Sequence, residues 1–405
     1  MPGDANGDGV VNVVVAWTRL VLFIGCMMTL FFELLQAAMG RRESLSRCPS
    51  EQEWRDLFGM CQQQAIAGFV FPAIDGFVKC GQKPPVELLY EWIGLAEQVR
   101  AQNELMNREA ARLTRLFEDE GHRTAILKGQ ANARLYPNPL SRQPGDIDIW
   151  VSGGRKMVEQ TLRKLGLLDG EISKYESEQA TQSYHHIHLR KNENGVDVEV
   201  HFRPSSGNQD PFTNRRLQQY LNQEIDRENE MVGEGFRVPS LRFALLMQLA
   251  HIQRHFLEGG VGMRQVIDYY FLLKSGNNDQ LKIENGKWKH LGLDHIAGAM
   301  MWVLHEKLGL EKAYLIAPMD EKRGRMLLDI VMAGGNFGCF SPERQQGFSF
   351  VRSLKYRIRQ YELLRFDVRE TIWGELNYYG RFIASIPERI RRRSWTLRRN
   401  GTLRV

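Results

Sequence analysis

Two aspartates separated by one apolar residue constrain the fold of this chain more than any other feature. Asp146 and Asp148 lie in residues 145–151, where the other positions after the glycine are isoleucine, tryptophan and valine. This composition predicts a buried β-strand. Side chains two positions apart on a strand point to the same face, with Cα atoms roughly 6.5–7 Å apart. Because two like charges this close repel each other, the pair predicts a divalent cation site. Mg²⁺ fits, since it completes its shell with water and phosphate oxygens.

Two further segments complete an ordered motif. Upstream, residues 126–129 predict a short apolar strand that ends at Lys128, which suits a phosphate partner, and at Gly129, which permits close approach of the backbone. Downstream, Glu199 stands between two valines as a third acid, and Asp197 is its main competitor because it lies on the same face. This order predicts metal-dependent phosphoryl transfer. Removing one of the paired charges, as in Asp148→Asn, should then leave the metal-free protein at least as stable.

The motif resembles the polymerase-beta-type nucleotidyltransferase superfamily, and within it a bacterial branch of uncharacterised nucleotidyltransferases. The resemblance covers about half of the chain. The matching residues are Leu127-Lys128-Gly129, Leu135-Tyr136-Pro137, Arg142, Asp146-Ile147-Asp148, His185-His186, Glu199-Val200-His201, Pro239-Ser240-Leu241, His251 to His255, Arg264 and Asp268. One position departs from the pattern, because the superfamily usually has a serine where this chain has Gln130. Lys128, Gln130 or Asn132 would have to make the phosphate contact of that serine.

The resemblance implies an enzyme that transfers an NMP from an NTP to a hydroxyl acceptor and releases pyrophosphate. Asp146, Asp148 and Glu199 would be the catalytic carboxylates and would bind two Mg²⁺ ions, with Mn²⁺ as a substitute. The expected partners are the NTP and an acceptor that the sequence does not identify. The residues expected to contact the nucleotide are Lys128, Gly129, Gln130, Arg142, His186, His188, His201, Arg254 and His255.

The histidines leave alternatives open. Four of them surround the third acid: His185, His186, His188 and His201. Their spacing is not that of a structural zinc site, so zinc is not favoured. His251 and His255 are one helical turn apart, a spacing that can chelate a metal. The first alternative is a metal-dependent hydrolase that uses the histidine cluster. The second is a catalytically inactive nucleotide-binding protein of the same fold, suggested by Gln130.

Residues 184–190 and 196–203 predict a β-hairpin. A two-residue type I′ turn at Asn194-Gly195 would close it. This register pairs His188 with His201, Arg190 with Glu199, and His186 with Arg203. It places these polar side chains on one face and the apolar side chains of the two strands on the other, so a shift of one residue would mix the faces.

The chain length and composition predict a globular protein of two or three domains. It has 405 residues, of which 43% are hydrophobic and 25% charged. The expected fold class is α+β, with a small mixed β-sheet as the nucleotidyltransferase core between N- and C-terminal helical regions. The expected segments are an apolar N-terminal extension (1–27), a helical domain (28–121), the nucleotidyltransferase core (122–237), a C-terminal helical domain (238–388) and an arginine-rich tail (389–405).

Charge and cysteine content narrow the class of protein. Residues 389–404 hold seven arginines and no acid, so the net charge of +6 falls to −1 without them. No broad nucleic-acid-binding surface is therefore predicted. The five cysteines form no Cys-x-x-Cys pair, which is typical of reduced residues in the cytoplasm. The longest uncharged stretch near the N-terminus, residues 20–32, is too short to span a membrane, and a membrane anchor is not favoured.

Overall fold

The structure is a computed structural model. It describes residues 25–79, 81–168, 185–189, 194–227, 229–258, 260–277, 281, 286–336, 339, 358, 360–380 and 383. The predicted arginine-rich tail and all but the last three residues of the predicted N-terminal extension lie outside these residues. Within the described part of the chain, no helix is both long and apolar enough to cross a membrane.

In the described residues, four helices precede the sheet. They are α1 (25–38), α2 (Glu51–Gln63), α3 (Ala67–Lys79) and α4 (Val86–Asp119). Helix α2 begins with a capping box at Ser50: its hydroxyl accepts from the backbone N–H of Glu53, and the Glu53 carboxylate accepts from the backbone N–H of Ser50. Helix α4 is the longest of the four, at 34 residues, and it packs against the sheet.

The main sheet is small and mixed, which confirms the predicted α+β fold class. Its strands are β1 (Thr124–Ile126), β2 (Ile147–Val151), β3 (His186–Leu189) and β4 (Val198–His201). Their order is β1-β2-β4-β3; β2 and β4 are parallel, and the two outer pairs are antiparallel. Helices α5 (Gln130–Ala133) and α6 (Gly154–Lys164) follow β1 and β2.

The predicted register of the hairpin is wrong by two residues. Strand β3 pairs with β4 as His186 with His201, Ile187 with Val200, His188 with Glu199, and Leu189 with Val198. The predicted pairs of His188 with His201 and of His186 with Arg203 are not formed, and Arg190, predicted to pair with Glu199, lies outside the described residues. The ladder between β3 and β4 ends at Leu189 with Val198, so eight residues separate the two strands, which is more than a two-residue turn provides. A shift of two residues keeps the faces unmixed.

The chain that follows the main sheet is mostly helical, and most of its helices belong to the C-terminal region. They are α7 (Pro211–Ile225), α8 (Leu241–Glu258), α9 (Met263–Ser275), α10 (Lys287–Leu291), α11 (Asp294–Glu306), α12 (Glu321–Gly334) and α13 (368–380). A two-stranded sheet, β5 (Asn229–Met231) with β6 (Arg237–Pro239), precedes α8. Short 3-10 turns occupy Pro139–Ser141 and Lys312–Tyr314.

Side-chain alternation along the strands separates two hydrophobic clusters. Ile147, Ile149 and Val151 of β2 pack with α4 and α6 in the cluster under the sheet. Trp150 points to the opposite face and joins the larger cluster, which contains side chains of α1–α3 and α8–α12. Asp148 shares the face of Trp150, because residues two apart on a strand point the same way. The acids of the motif are therefore directed toward the helical side.

Candidate active site

Two of the three predicted carboxylates, Asp146 and Asp148, line a cleft between the sheet and helices α8 and α9, and the third, Glu199, lies on the strand beside Asp148. Asp148 of β2 is paired in register with Glu199 of β4, and Asp146 directly precedes β2. The Asp148 side chain is 1% exposed, whereas that of Asp146 is 37% exposed at the mouth of the cleft. Because β2 and β4 are parallel neighbours, acids far apart in the sequence become adjacent across the sheet. The structure thus brings Glu199 to Asp148.

Two cationic side chains stand between these acids. Lys128 Nζ lies 3.0 Å from Asp148 Oδ2 and 3.9 Å from Asp146 Oδ1. His201 Nε2 lies 3.0 Å from Asp148 Oδ1 and 3.4 Å from Glu199 Oε2. The metal-free site therefore contains its own counter-charges. This compensation stabilises carboxylates that would otherwise repel one another.

The pKa values reflect this charge balance. Burial alone lowers the pKa of Lys128, but the charges of Asp148, Asp146 and Glu199 outweigh burial and raise it. Burial likewise lowers the pKa of His201, yet its hydrogen bonds to Asp148 and Glu199 raise it to about 9. Burial raises the pKa of Glu199, and its hydrogen bond with His201 and the nearby positive charges bring it down to about 2. At neutral pH, His201 is therefore an imidazolium that faces an ionised Glu199.

The donor set fits a divalent cation. Asp148, Glu199 and His201 each offer a ligand atom, and these atoms lie within 4.8 Å of one another. Carboxylate oxygens suit Mg²⁺ and Mn²⁺. Asp146 is separated from this group by the Lys128 ammonium. A metal ion bound at this site would take the place of the protein cations beside the same acids.

Gly129 is required by the backbone at the end of β1. Its φ of 62° and ψ of −105° belong to a region that only glycine adopts readily. A Cβ built there would lie 3.4 Å from the carbonyl oxygen of Asp146. Gln130, the next residue, does not face the cleft: its amide donates to Asn107 Oδ1 of α4 at 2.6 Å. The side chain at the usual serine position thus supports the packing of α4.

Arg142 lies in the cleft wall with its guanidinium bound to Asp268. Its Nε and Nη2 donate to the two Asp268 oxygens at 2.7 and 2.8 Å, and Tyr136 donates to the same carboxylate at 2.7 Å. Burial raises the pKa of Asp268, but the charge of Arg142 and its hydrogen bonds lower it below its usual value. Arg264 donates to the carbonyl oxygens of residues 143 and 144, which shapes the loop before the acids.

The predicted histidines lie at different depths. His201 is buried, and His186 Nδ1 lies 3.4 Å from Glu199 Oε2. His188 is 56% exposed, at 3.7 Å from Glu199 Oε1 and 3.8 Å from Asp197 Oδ1. Asp197, the competitor of Glu199, therefore contacts the outer histidine, whereas Glu199 joins the central cluster.

Helix α8 forms the opposite wall. The rings of His251 and His255 are 4.3 Å apart, and Arg254 is paired with Glu258 at 2.6 Å. Burial and the charge of Lys128 lower the pKa of His255 to about 4, so this ring is neutral at pH 7. Gln248, which belongs to none of the sequence motifs, also lines the cleft. The helical period could have indicated this residue, because Gln248 lies three residues before His251 and therefore on the same face of the helix.

A small mixed sheet that presents clustered acids to a helical cleft is the arrangement expected of a nucleotidyltransferase-like protein. The chain belongs to a family described as uncharacterised nucleotidyltransferases, whose model matches residues 50–309. Among solved structures, an antigenic nucleotidyltransferase-like protein from Paracoccidioides brasiliensis is similar at 13% identity, over 54% of this chain and 96% of its own, with a TM-score of 0.32. Comparison with curated proteins gave no match.

Proposed function

We propose that this protein is a Mg²⁺-dependent nucleotidyltransferase of the polymerase-beta type that acts in the cytoplasm. It would transfer an NMP from an NTP to the hydroxyl group of an acceptor, with release of pyrophosphate. The observation that carries the proposal is the register of Asp148 with Glu199, which brings acids of two distant segments to one point beside Asp146. Membership of a nucleotidyltransferase family supports the reaction class.

Each acid and its neighbours would have a defined task. Asp146, Asp148 and Glu199 would hold Mg²⁺, or Mn²⁺ as a substitute. A bound metal ion would lower the pKa of the acceptor hydroxyl and neutralise charge on the phosphates. Lys128, which already lies at the acids, would turn to the phosphates of the nucleotide. Gly129 leaves room for the backbone to approach them.

The remaining predicted contacts divide into two groups by their present partners. The first group lies around the acids or on the opposite wall of the cleft and would orient the nucleotide. It consists of His186, His188, His201, Arg254 and His255. Arg142 and Gln130 donate to Asp268 and Asn107, respectively, and would support the walls of the cleft instead of binding phosphate. Substitution of Arg142 should therefore lower the free energy of unfolding more than it lowers the affinity for nucleotide.

The test is transfer of label from α-labelled NTP. The purified protein is incubated with each of the NTPs in turn, with Mg²⁺ and a cell lysate as the source of acceptor, and labelled product and pyrophosphate are measured. Asp148→Asn should abolish both signals, while Asp197→Asn should keep them, because the Asp197 carboxylate lies beside the outer histidine and is not part of the group of Asp148, Glu199 and His201. Equal turnover by wild type and Asp148→Asn, or no pyrophosphate from any NTP, would contradict the proposal.

A second candidate is the metal-dependent hydrolase. The meeting of His185, His186 and His201 favours it, because three imidazoles can hold a hydrolytic metal ion. It predicts product formation with Zn²⁺ or Mn²⁺ and no NTP. A catalytically inactive protein would instead bind NTP without releasing pyrophosphate. It is favoured by the ion pair of Lys128 with Asp148, which occupies one of the acids.

A further inference from the structure

Three imidazoles meet beside the carboxylates at the ends of β3 and β4. His185 directly precedes β3, His186 is its first residue, and His201 is the last residue of β4 and pairs with His186. The ring centroids are 4.4 Å apart for His185 and His186, 5.0 Å for His186 and His201, and 5.4 Å for His185 and His201. The sequence spacing did not favour this site, because the sheet register is what brings the rings together.

Nitrogens of the three rings lie close enough to one another to share one ion. His186 Nδ1 and His185 Nε2 are 3.0 Å apart, and one nitrogen from each of the three rings lies within 4.8 Å of the others. A tetrahedral ion with metal–nitrogen bonds of about 2.0–2.1 Å holds its ligand nitrogens about 3.3 Å apart. Small side-chain rotations would therefore bring the three nitrogens to that spacing. Imidazole nitrogen suits zinc and its transition-metal neighbours, whereas Mg²⁺ prefers oxygen.

The two nitrogens of His201 have different surroundings. Nε2 faces Asp148 Oδ1 at 3.0 Å and Glu199 Oε2 at 3.4 Å. Nδ1 is buried and has no hydrogen-bond partner among the described residues. A histidine that binds a metal commonly donates its second N–H to a carboxylate, which fixes the ring. His201 has this arrangement, with Asp148 and Glu199 as the carboxylates, and its Nδ1 would bind the metal after releasing a proton to solvent.

We propose that His185, His186 and His201 form a three-imidazole site for a divalent transition-metal ion of the zinc class. This site differs from the one proposed at Asp146, Asp148 and Glu199, although His201 contacts both Asp148 and Glu199. Three protein ligands leave a fourth tetrahedral position for water or for an oxygen of a bound molecule. The inference requires no nucleotide and does not depend on the proposed transfer reaction.

The test measures binding of Co²⁺ alone to untagged, full-length, metal-free protein. Tetrahedral Co²⁺ gives strong visible absorption, so we expect an intense band that Zn²⁺ removes and excess Mg²⁺ does not. His185→Gln and His186→Gln should each lower the Co²⁺ affinity by at least about 10-fold. Circular dichroism and the melting temperature of each variant establish that it is folded.

Two matched variants separate this site from other histidines. His188→Gln changes a histidine on the same strand that faces outward, and His255→Gln changes the pair on α8; both should keep the wild-type affinity and spectrum. Loss of the band in His255→Gln, an equal loss in His188→Gln, or a weak octahedral spectrum shared by every variant would overturn the proposal. If His185→Gln fails to fold, His186→Gln and the Zn²⁺ competition still decide it.

Discussion

At the scale of single residues, the site is a charge balance in which each acid has a protein cation beside it. Asp148 contacts both Lys128 and His201, each at 3.0 Å, and is almost fully buried. From the sequence alone, removing its charge should relieve repulsion with Asp146. The structure reverses that expectation, since the loss of Asp148 would leave two cations in the site without their closest partner.

Asp148→Asn is accordingly expected to destabilise the metal-free protein. Breaking a buried ion pair by removing one member costs about 3 kcal/mol in the free energy of unfolding. Urea unfolding at pH 7 with EDTA measures it. Asp197→Asn is the control, and a change within about 0.5 kcal/mol is expected because the Asp197 side chain is 35% exposed and lies 3.8 Å from the exposed ring of His188. A variant at Asp148 as stable as wild type would show that the repulsion between the aspartates dominates.

The pKa of His201 gives a pH dependence of stability with a defined sign. Its folded pKa of about 9 lies above the unfolded value of about 6.5. The stabilisation is therefore fully present below about pH 6.5 and is lost as the pH rises through 9. Without metal, the free energy of unfolding should fall by about 2 kcal/mol between pH 7 and pH 9.

The measurement is a series of urea unfolding curves at pH 7, 8 and 9 in EDTA. His201→Gln should remove most of the decrease, because an amide does not titrate in this range. A slope that is the same in wild type and His201→Gln would assign the pH dependence to other groups.

At the scale of elements, the turn from β1 into α5 depends on a backbone conformation that other residues avoid. Gly129→Ala should lower the free energy of unfolding by about 1–3 kcal/mol, because alanine is strained at a φ of 62°. Gly94→Ala is the matched control: Gly94 is exposed within α4, and a Cβ there would meet nothing within 4 Å. That variant should gain about 0.5–1 kcal/mol. Thermal unfolding of both proteins checks the contrast, which equal effects would contradict.

Local sequence patterns predicted the strands that carry Asp148 and Glu199, for a physical reason. The alternation of apolar and acidic residues in β2 and β4 is local, so it can be read without a partner. The parallel pairing of β2 with β4 is a contact between distant segments that no local pattern shows, and the register of β3 with β4 departs from the local turn signal of Asn194-Gly195. Arg142 and Gln130 were expected at phosphate for the same reason: their partners, Asp268 and Asn107, are distant in sequence.

At the scale of the whole molecule, a buried ion pair joins the sheet region to helix α9. Arg142 and Tyr136 from the sheet side both donate to Asp268 of α9, and all three side chains are buried. The larger hydrophobic cluster combines helices from before and after the sheet. The two walls of the cleft are thus fixed to each other at a point close to the acids.

Asp268→Asn should therefore weaken the whole molecule rather than one segment. It leaves the Arg142 guanidinium buried without its counter-charge, at an expected cost of about 3–5 kcal/mol. Tyr136→Phe removes one hydrogen bond to the same carboxylate and should cost about 1 kcal/mol. Unfolding followed by circular dichroism and by tryptophan fluorescence should remain coincident in both variants. A first transition confined to one probe would show that the walls unfold separately.

The ion pair of Lys128 with Asp148 has a consequence for the order in which ligands arrive. The ammonium can leave the acids at little cost only when another cation replaces it there. Lys128 would thus become available to an anion when a divalent ion enters, and a triphosphate that brings its own ion would supply both at once. A triphosphate without an ion would have to compete with Asp148 for the lysine. The site would therefore bind the metal–nucleotide complex in preference to the metal or the nucleotide alone, because Lys128 would exchange Asp148 for a phosphate group as the metal ion takes its place.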